Sequence, residues 1–178
     1  NSGEILKGIT SAVGVGGTPA DANSTEIGNG YIILSRDDTA DAKQISFKNL
    51  HVSQGWFDSS VSFGEPGYEE RETIAHGLAV AAMSGFTHIA LNTNTNPMPD
   101  SRADIAFLLE QANGSPVHLY PKARITVADS DSKLAPLREL QLTGAVCFSN
   151  HKSALKNANV LKLALQYTND FNGLIESF

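Results

Sequence analysis

From Val52 onward, short apolar runs alternate with longer stretches in which apolar residues recur three and four positions apart. The apolar runs at about 58–63, 87–92, 117–120, 145–148 and 172–176 predict strands. The stretches at about 70–84, 101–113, 133–142 and 153–168 carry helical spacing. Gly85 after Ser84 is a stop signal for the first helix. Ser101-Arg102-Ala103-Asp104 is close to a capping box for the second, which places Ile105, Leu108 and Leu109 on one face. In the last, Leu155, Ala158, Leu161 and Leu165 share a face. Strands and helices in strict alternation predict right-handed βαβ units and a parallel sheet. Periodicity alone leaves an open sheet and a barrel equally possible.

Residues 1–50 lack this rhythm and predict a small β module. Tyr31-Ile32-Ile33-Leu34 and Gln44-Ile45-Ser46-Phe47 are its strand candidates, and 11–30 is a Gly-rich loop. Val13-Gly14-Val15-Gly16-Gly17 within it reads as plain loop and not a phosphate cradle, because no Lys-Ser/Thr and no amphipathic helix follow.

Composition narrows the class. In 178 residues, 41% apolar content supplies a real core. Thirteen basic against nineteen acidic side chains give a net charge of −6, which argues against nucleic acid or an anionic membrane as partner. One cysteine, Cys147, excludes a disulfide scaffold. With no long apolar run and no signal-peptide pattern at the start, the expectation is a cytoplasmic protein. The chain opens on Asn1 without a Met, as a piece of a longer product would.

Ligands of parallel α/β sheets and barrels sit at the carboxyl ends of the strands. There the chain offers Asp58 to Gly67, Asn92-Thr93-Asn94-Thr95-Asn96, Tyr120-Pro121-Lys122 and Ser149-Asn150-His151-Lys152. The asparagine run either orients a polar ligand or builds a turn from Asx hydrogen bonds, and residue types leave both open. No two of the five histidines have metal-ligand spacing, and there is no Gly-x-Ser-x-Gly elbow. His88 and His118, inside strands, are expected to be satisfied core or interface residues, and His76 to be solvated. Only His151 follows a strand end, where it could serve as a ligand or an acid/base.

Several of these segments, in order, resemble the dihydroorotase family of the amidohydrolase superfamily. Asp58 to Gly67, followed by Arg71-Glu72-Thr73-Ile74, is similar to the family's Asp-Leu-His-Val-His-Leu-Arg-Glu-Pro-Gly and the helix start after it. Ser84-Gly85-Phe86-Thr87 resembles its Gly-Gly-Phe-Thr, and Asn94-Thr95-Asn96-Pro97 its Pro-Asn-Thr-Asn-Pro. Pro121 to Thr126 and Thr143 to Asn150 match two further motifs, so the resemblance covers about residues 44–178. It implies an α/β fold, the N-terminal half of a (β/α)8 TIM-type barrel over 51–178, preceded by the small β module of 1–50. A whole barrel needs about 250 residues. The expectation is therefore a piece of a longer protein, or a half barrel completed by another chain or by a second copy.

The resemblance also implies a metal-dependent opening or closing of a cyclic amide, and here the residues depart from it. The two metal-binding histidines of the first strand are Ser60 and Ser62, and the arginine that grips the substrate carboxylate is Gly64. The carboxylate after the fourth strand is Asn150, and the fifth-strand histidine falls near Ser177 or Phe178. Asn94 matches the family's substrate-binding asparagine. Without the ligands, a bound water cannot be brought down to a pKa of about 7. The expectation is thus a degenerate member with no metal cofactor, acting as scaffold or regulator, with aspartate transcarbamoylase as the partner the resemblance suggests. Two alternatives stand beside it. One is an active cyclic-amide hydrolase with zinc in an unusual site, for which His151 is the replacement ligand. The other is a binding module in which Asn92, Asn94, Asn96 and Lys122 hold a carboxylate or ureide.

Overall fold

The computed structural model describes residues 54–127, 130 and 132–177. The predicted β module of 1–50, with its Gly-rich loop, lies outside them. Nine elements alternate along the described chain: β1 (Trp56–Val61), α1 (Ile74–Met83), β2 (Phe86–Leu91), α2 (Arg102–Gln111), β3 (His118–Ala123), α3 (Leu137–Thr143), β4 (Cys147–Ser149), α4 (Ala158–Asn169) and β5 (Ile175–Glu176). They form one five-stranded sheet in the order β1-β2-β3-β4-β5. The pairs β2–β3, β3–β4 and β4–β5 are parallel. A doubly wound sheet reverses its strand order at a switch point, and this one does not. Right-handed crossovers without a reversal keep every helix on the same face, which is the geometry of a TIM-type barrel. The five strands and four helices make up about half of such a barrel.

The core lies between the helices and the outer face of the sheet, in two clusters. Phe63, Ile89, Leu91 and Leu119 pack against Ile74, Leu78 and Ala82 of α1 and Leu108 of α2. Ala123, Ile125 and Phe148 pack against Ile105, Leu137, Leu140 and Ala164. Because strand side chains alternate, these contacts send Ser60, Ser62, His88, Asn92, His118, Tyr120, Lys122, Cys147 and Glu176 to the opposite, inner face. Gly77 allows α1 to approach the sheet: a Cβ there would lie 2.2 Å from the Phe63 ring.

The elements predicted from about residue 58 onward are present, with boundaries moved for physical reasons. α1 begins at Ile74 instead of about 70, because the Glu72 carbonyl accepts from both Gly64 and Glu65 and the Thr73 side chain caps the helix. α3 begins at Leu137, since Leu134 bridges to Thr126 and Ala135 N–H donates to the Ile125 carbonyl. Asn157 caps α4, which therefore starts later than about 153. β3 continues through Pro121, whose carbonyl accepts from Val146 at 3.0 Å, so the missing N–H does not end the strand. The capping box at Ser101 and Asp104 forms as its spacing predicts. His88 and His118 belong to neither core cluster. They are register partners whose rings stack at 5.0 Å on the inner face, with His118 exposed.

Leu140 and Leu142 stand two residues apart on α3, one fully buried and the other 73% exposed. Leu140→Ala is expected to lower unfolding free energy by about 2–5 kcal/mol and Leu142→Ala by less than about 0.5 kcal/mol. Urea denaturation of the two variants beside the parent chain checks the assignment of faces.

Candidate functional site

The carboxyl ends of the five strands gather the polar residues singled out above, and hydrogen bonds tie most of them to one another. Asn92, 3% exposed, continues β2 by one residue, its N–H donating to the Val61 carbonyl at 2.8 Å. Its Nδ2 donates to Ser60 Oγ at 3.2 Å and to Ser62 Oγ at 3.0 Å. The two serines that the resemblance sets against the family's histidines are thus bound to a neighbouring carboxamide. Asp58 supports the same strand by accepting from the Ser60 N–H at 2.9 Å.

Gly64 is more than a missing arginine. A Cβ at this position would lie 1.8 Å from the carbonyl oxygen of Tyr68, so the backbone of the following turn fills the space a side chain would take. That turn is fixed on several sides. Tyr68 N–H donates to the Gly64 carbonyl, and Glu65 Oε2 accepts from the first N–H of α1, that of Ile74, at 2.8 Å. Pro66 accepts from the Asn96 N–H at 2.9 Å, which joins the turn to the asparagine run.

The asparagine run divides. Asn92 serves the serines, and the turn is closed by the Asn96 backbone and by the Thr95 hydroxyl donating to the Pro97 carbonyl, not by Asx bonds. Asn94 differs from both neighbours: its Oδ1 is buried and meets no donor among the described residues. A buried acceptor left unmade costs free energy that a ligand N–H would recover.

Asn150, 5% exposed, acts as a bracket. Its Oδ1 accepts from Ile125 N–H at 3.0 Å and lies 3.5 Å from Thr126 N, while its Nδ2 donates to Thr126 Oγ1 at 3.0 Å. The Asn150 side chain therefore holds the exit of β3. His151 and Lys152 follow it with φ of 36° and 53°, a left-handed conformation rare for non-glycine residues and often found near functional sites. Burial holds the His151 imidazole below its usual pKa, and the nearby Lys152 and Lys122 charges add to this while Glu176 opposes it. Cys147 is pushed up to about 11, chiefly by burial and then by Glu176, so it is a thiol at neutral pH.

The residues present do not fit the zinc that the resemblance implies. The serine hydroxyls are neutral, Asn92 and Asn150 are committed carboxamides, and Lys122 brings an ammonium to the same strand ends. Among the described residues no three His, Cys, Asp or Glu side chains converge on a common point suited to a metal. What the sequence missed is the pairing of Lys122 with Glu176, whose Nζ···Oε2 distance is 2.7 Å. The two are 54 residues apart on non-adjacent strands, and no local pattern reports such a contact.

Comparison with known proteins agrees with the order of the motifs. A family model described as dihydro-orotase-like matches residues 51–178. A dihydroorotase from Pelotomaculum thermopropionicum is 36% identical over 129 residues, covering 72% of this chain and 30% of that protein. One from Syntrophus aciditrophicus is 33% identical over 138 residues, covering 77% of this chain and 32% of that protein. One from Ruminiclostridium cellulolyticum is 30% identical over 139 residues, covering 78% and 32%. The chain thus spans about a third of the length of the curated relatives it matches.

Two outcomes follow from this geometry. Gly64→Arg is expected to destabilise the chain by about 1–3 kcal/mol through overpacking against Tyr68, measured by urea denaturation. The His151 pKa is depressed in the fold, so the unfolded chain binds more protons and stability falls as pH drops below about 6.5. His151→Gln should flatten the melting temperature between pH 7 and 5 relative to the parent.

Proposed function

Because this chain belongs to the dihydroorotase-like family, we propose that it is a non-catalytic member that serves pyrimidine synthesis as a scaffold or regulator. The observation that carries the reading is the closed network at the strand ends, where Asn92 occupies Ser60 and Ser62 and Asn150 occupies the Ile125 and Thr126 amides. Metal-dependent hydrolysis needs anionic or imidazole ligands free to reach one ion, and an open position for water. Hydroxyls and carboxamides that already satisfy one another offer neither. On this reading the chain carries no zinc, is cytoplasmic, and contributes surface in place of turnover. The partner we infer is aspartate transcarbamoylase, the preceding enzyme of the pathway. β1 and β5 are the two edges of the described sheet, and the remaining strands of a barrel would come from a longer polypeptide or a second copy.

A second reading is favoured by one atom. Asn94 Oδ1 is buried without a donor, at the position that matches the family's substrate-binding asparagine. A carboxylate or ureide held there through a ligand N–H would make the site a binding module with no chemical step. Such a ligand would raise the melting temperature, whereas a pure scaffold would not respond.

Elemental analysis of the full-length purified protein, with a dihydroorotate hydrolysis assay, tests the first reading. Less than about a tenth of an equivalent of zinc and no turnover are expected. Zinc near one or two equivalents with turnover would refute it and make His151 the first residue to replace.

A further inference from the structure

Lys122 is 4% exposed, and its Nζ donates to Glu176 Oε2 at 2.7 Å. In the sheet β4 separates β3 from β5, so the pair reaches across the inner face beside Cys147, the register partner of Lys122. On the other side, the β2–β3 register runs from His88↔His118 to Leu91↔Pro121. One step further it sets Asn92 alongside Lys122. Asn92 holds Ser60 and Ser62, so Lys122 stands one strand from the residue that binds both serines. His151 and Cys147 at the end of β4 are near enough to feel both members of the pair, with opposite sign. A polar belt thus crosses all five strands, with the Lys122–Glu176 ion pair in it.

We propose that the Lys122–Glu176 ion pair excludes divalent ions from the strand ends, the ammonium standing on the inner face and the carboxylate withheld from a metal. This rests on the family reading above and goes beyond it, since it assigns the exclusion to two residues that are not among the family's ligand positions. With Glu176 Oε2 at 2.7 Å from the ammonium the pair is close to neutral, so it excludes a metal by committing the carboxylate and not by a net charge. Releasing Glu176 from Lys122 would add a carboxylate ligand to a rebuilt metal site.

The test rebuilds the two histidines in the full-length protein as Ser60→His with Ser62→His and measures zinc affinity by competition with a chromophoric chelator. Adding Lys122→Met is expected to tighten zinc binding at least tenfold, while Lys122→Arg, which keeps the charge, leaves it within about twofold. If the doubly substituted chain does not fold, the same comparison is made in the single Ser62→His chain. Equal zinc affinity with Lys122 and with Met at that position overturns the inference and leaves the non-catalytic reading standing on the serines alone. A full equivalent of zinc in the unsubstituted protein overturns both.

Discussion

A buried ammonium must have a partner, and that requirement shapes the inner face of this half barrel. Taking a lysine side chain out of water costs several kcal/mol even after the surroundings relax. For Lys122 the cost is offset by one short ion pair, to a Glu176 side chain that is 34% exposed. β5 has only two residues, and its ladder with β4 runs through two register pairs. The ion pair adds a tie from β3 to the last described strand, over the top of β4. Leaving Glu176 without its lysine would cost less than leaving Lys122 without its carboxylate, because only the glutamate retains contact with water.

Around this charge the remaining polar groups close on themselves. Asn92 binds the serines of β1, Asn150 binds the exit of β3, and Thr93 Oγ1 donates to the Ser149 carbonyl at 2.9 Å to tie the ends of β2 and β4. In a catalytic metal site such positions are held open for an ion and a water. Here the same backbone geometry is kept and its polar demand is met internally. Gly64 follows the same logic: the turn after β1 closes over the space where a side chain would project. Asn94 Oδ1 is the exception, and it is the place where a ligand would gain most.

Much of the fold is legible in the sequence because its signals are local. Helical spacing around Ile105 and Leu108, the Ser101–Asp104 box and short β-branched runs each report on one turn or one strand, and they yield the right elements in the right order. The family motifs then choose a barrel over an open sheet, which periodicity cannot do. The boundaries that shifted did so through contacts between segments, such as Ala135 on Ile125 ahead of α3. The positions of Ser60, Ser62 and Asn150 are legible as motif residues, but their partners are not. Asn92, read as part of a ligand-orienting run or a turn, proves to be the donor to both serines. The stacking of His88 on His118 arises from strand register, which a lone histidine in an apolar run does not reveal.

The most direct test of the account is a crystal structure of the full-length protein grown with excess zinc, with anomalous data collected at the zinc edge. The account predicts no anomalous peak among Ser60, Ser62, Asn150 and His151, with Asn92 still bound to both serines and Lys122 still on Glu176. An ordered zinc peak at those strand ends, with the Asn92 or Lys122 contacts broken to admit it, would contradict it.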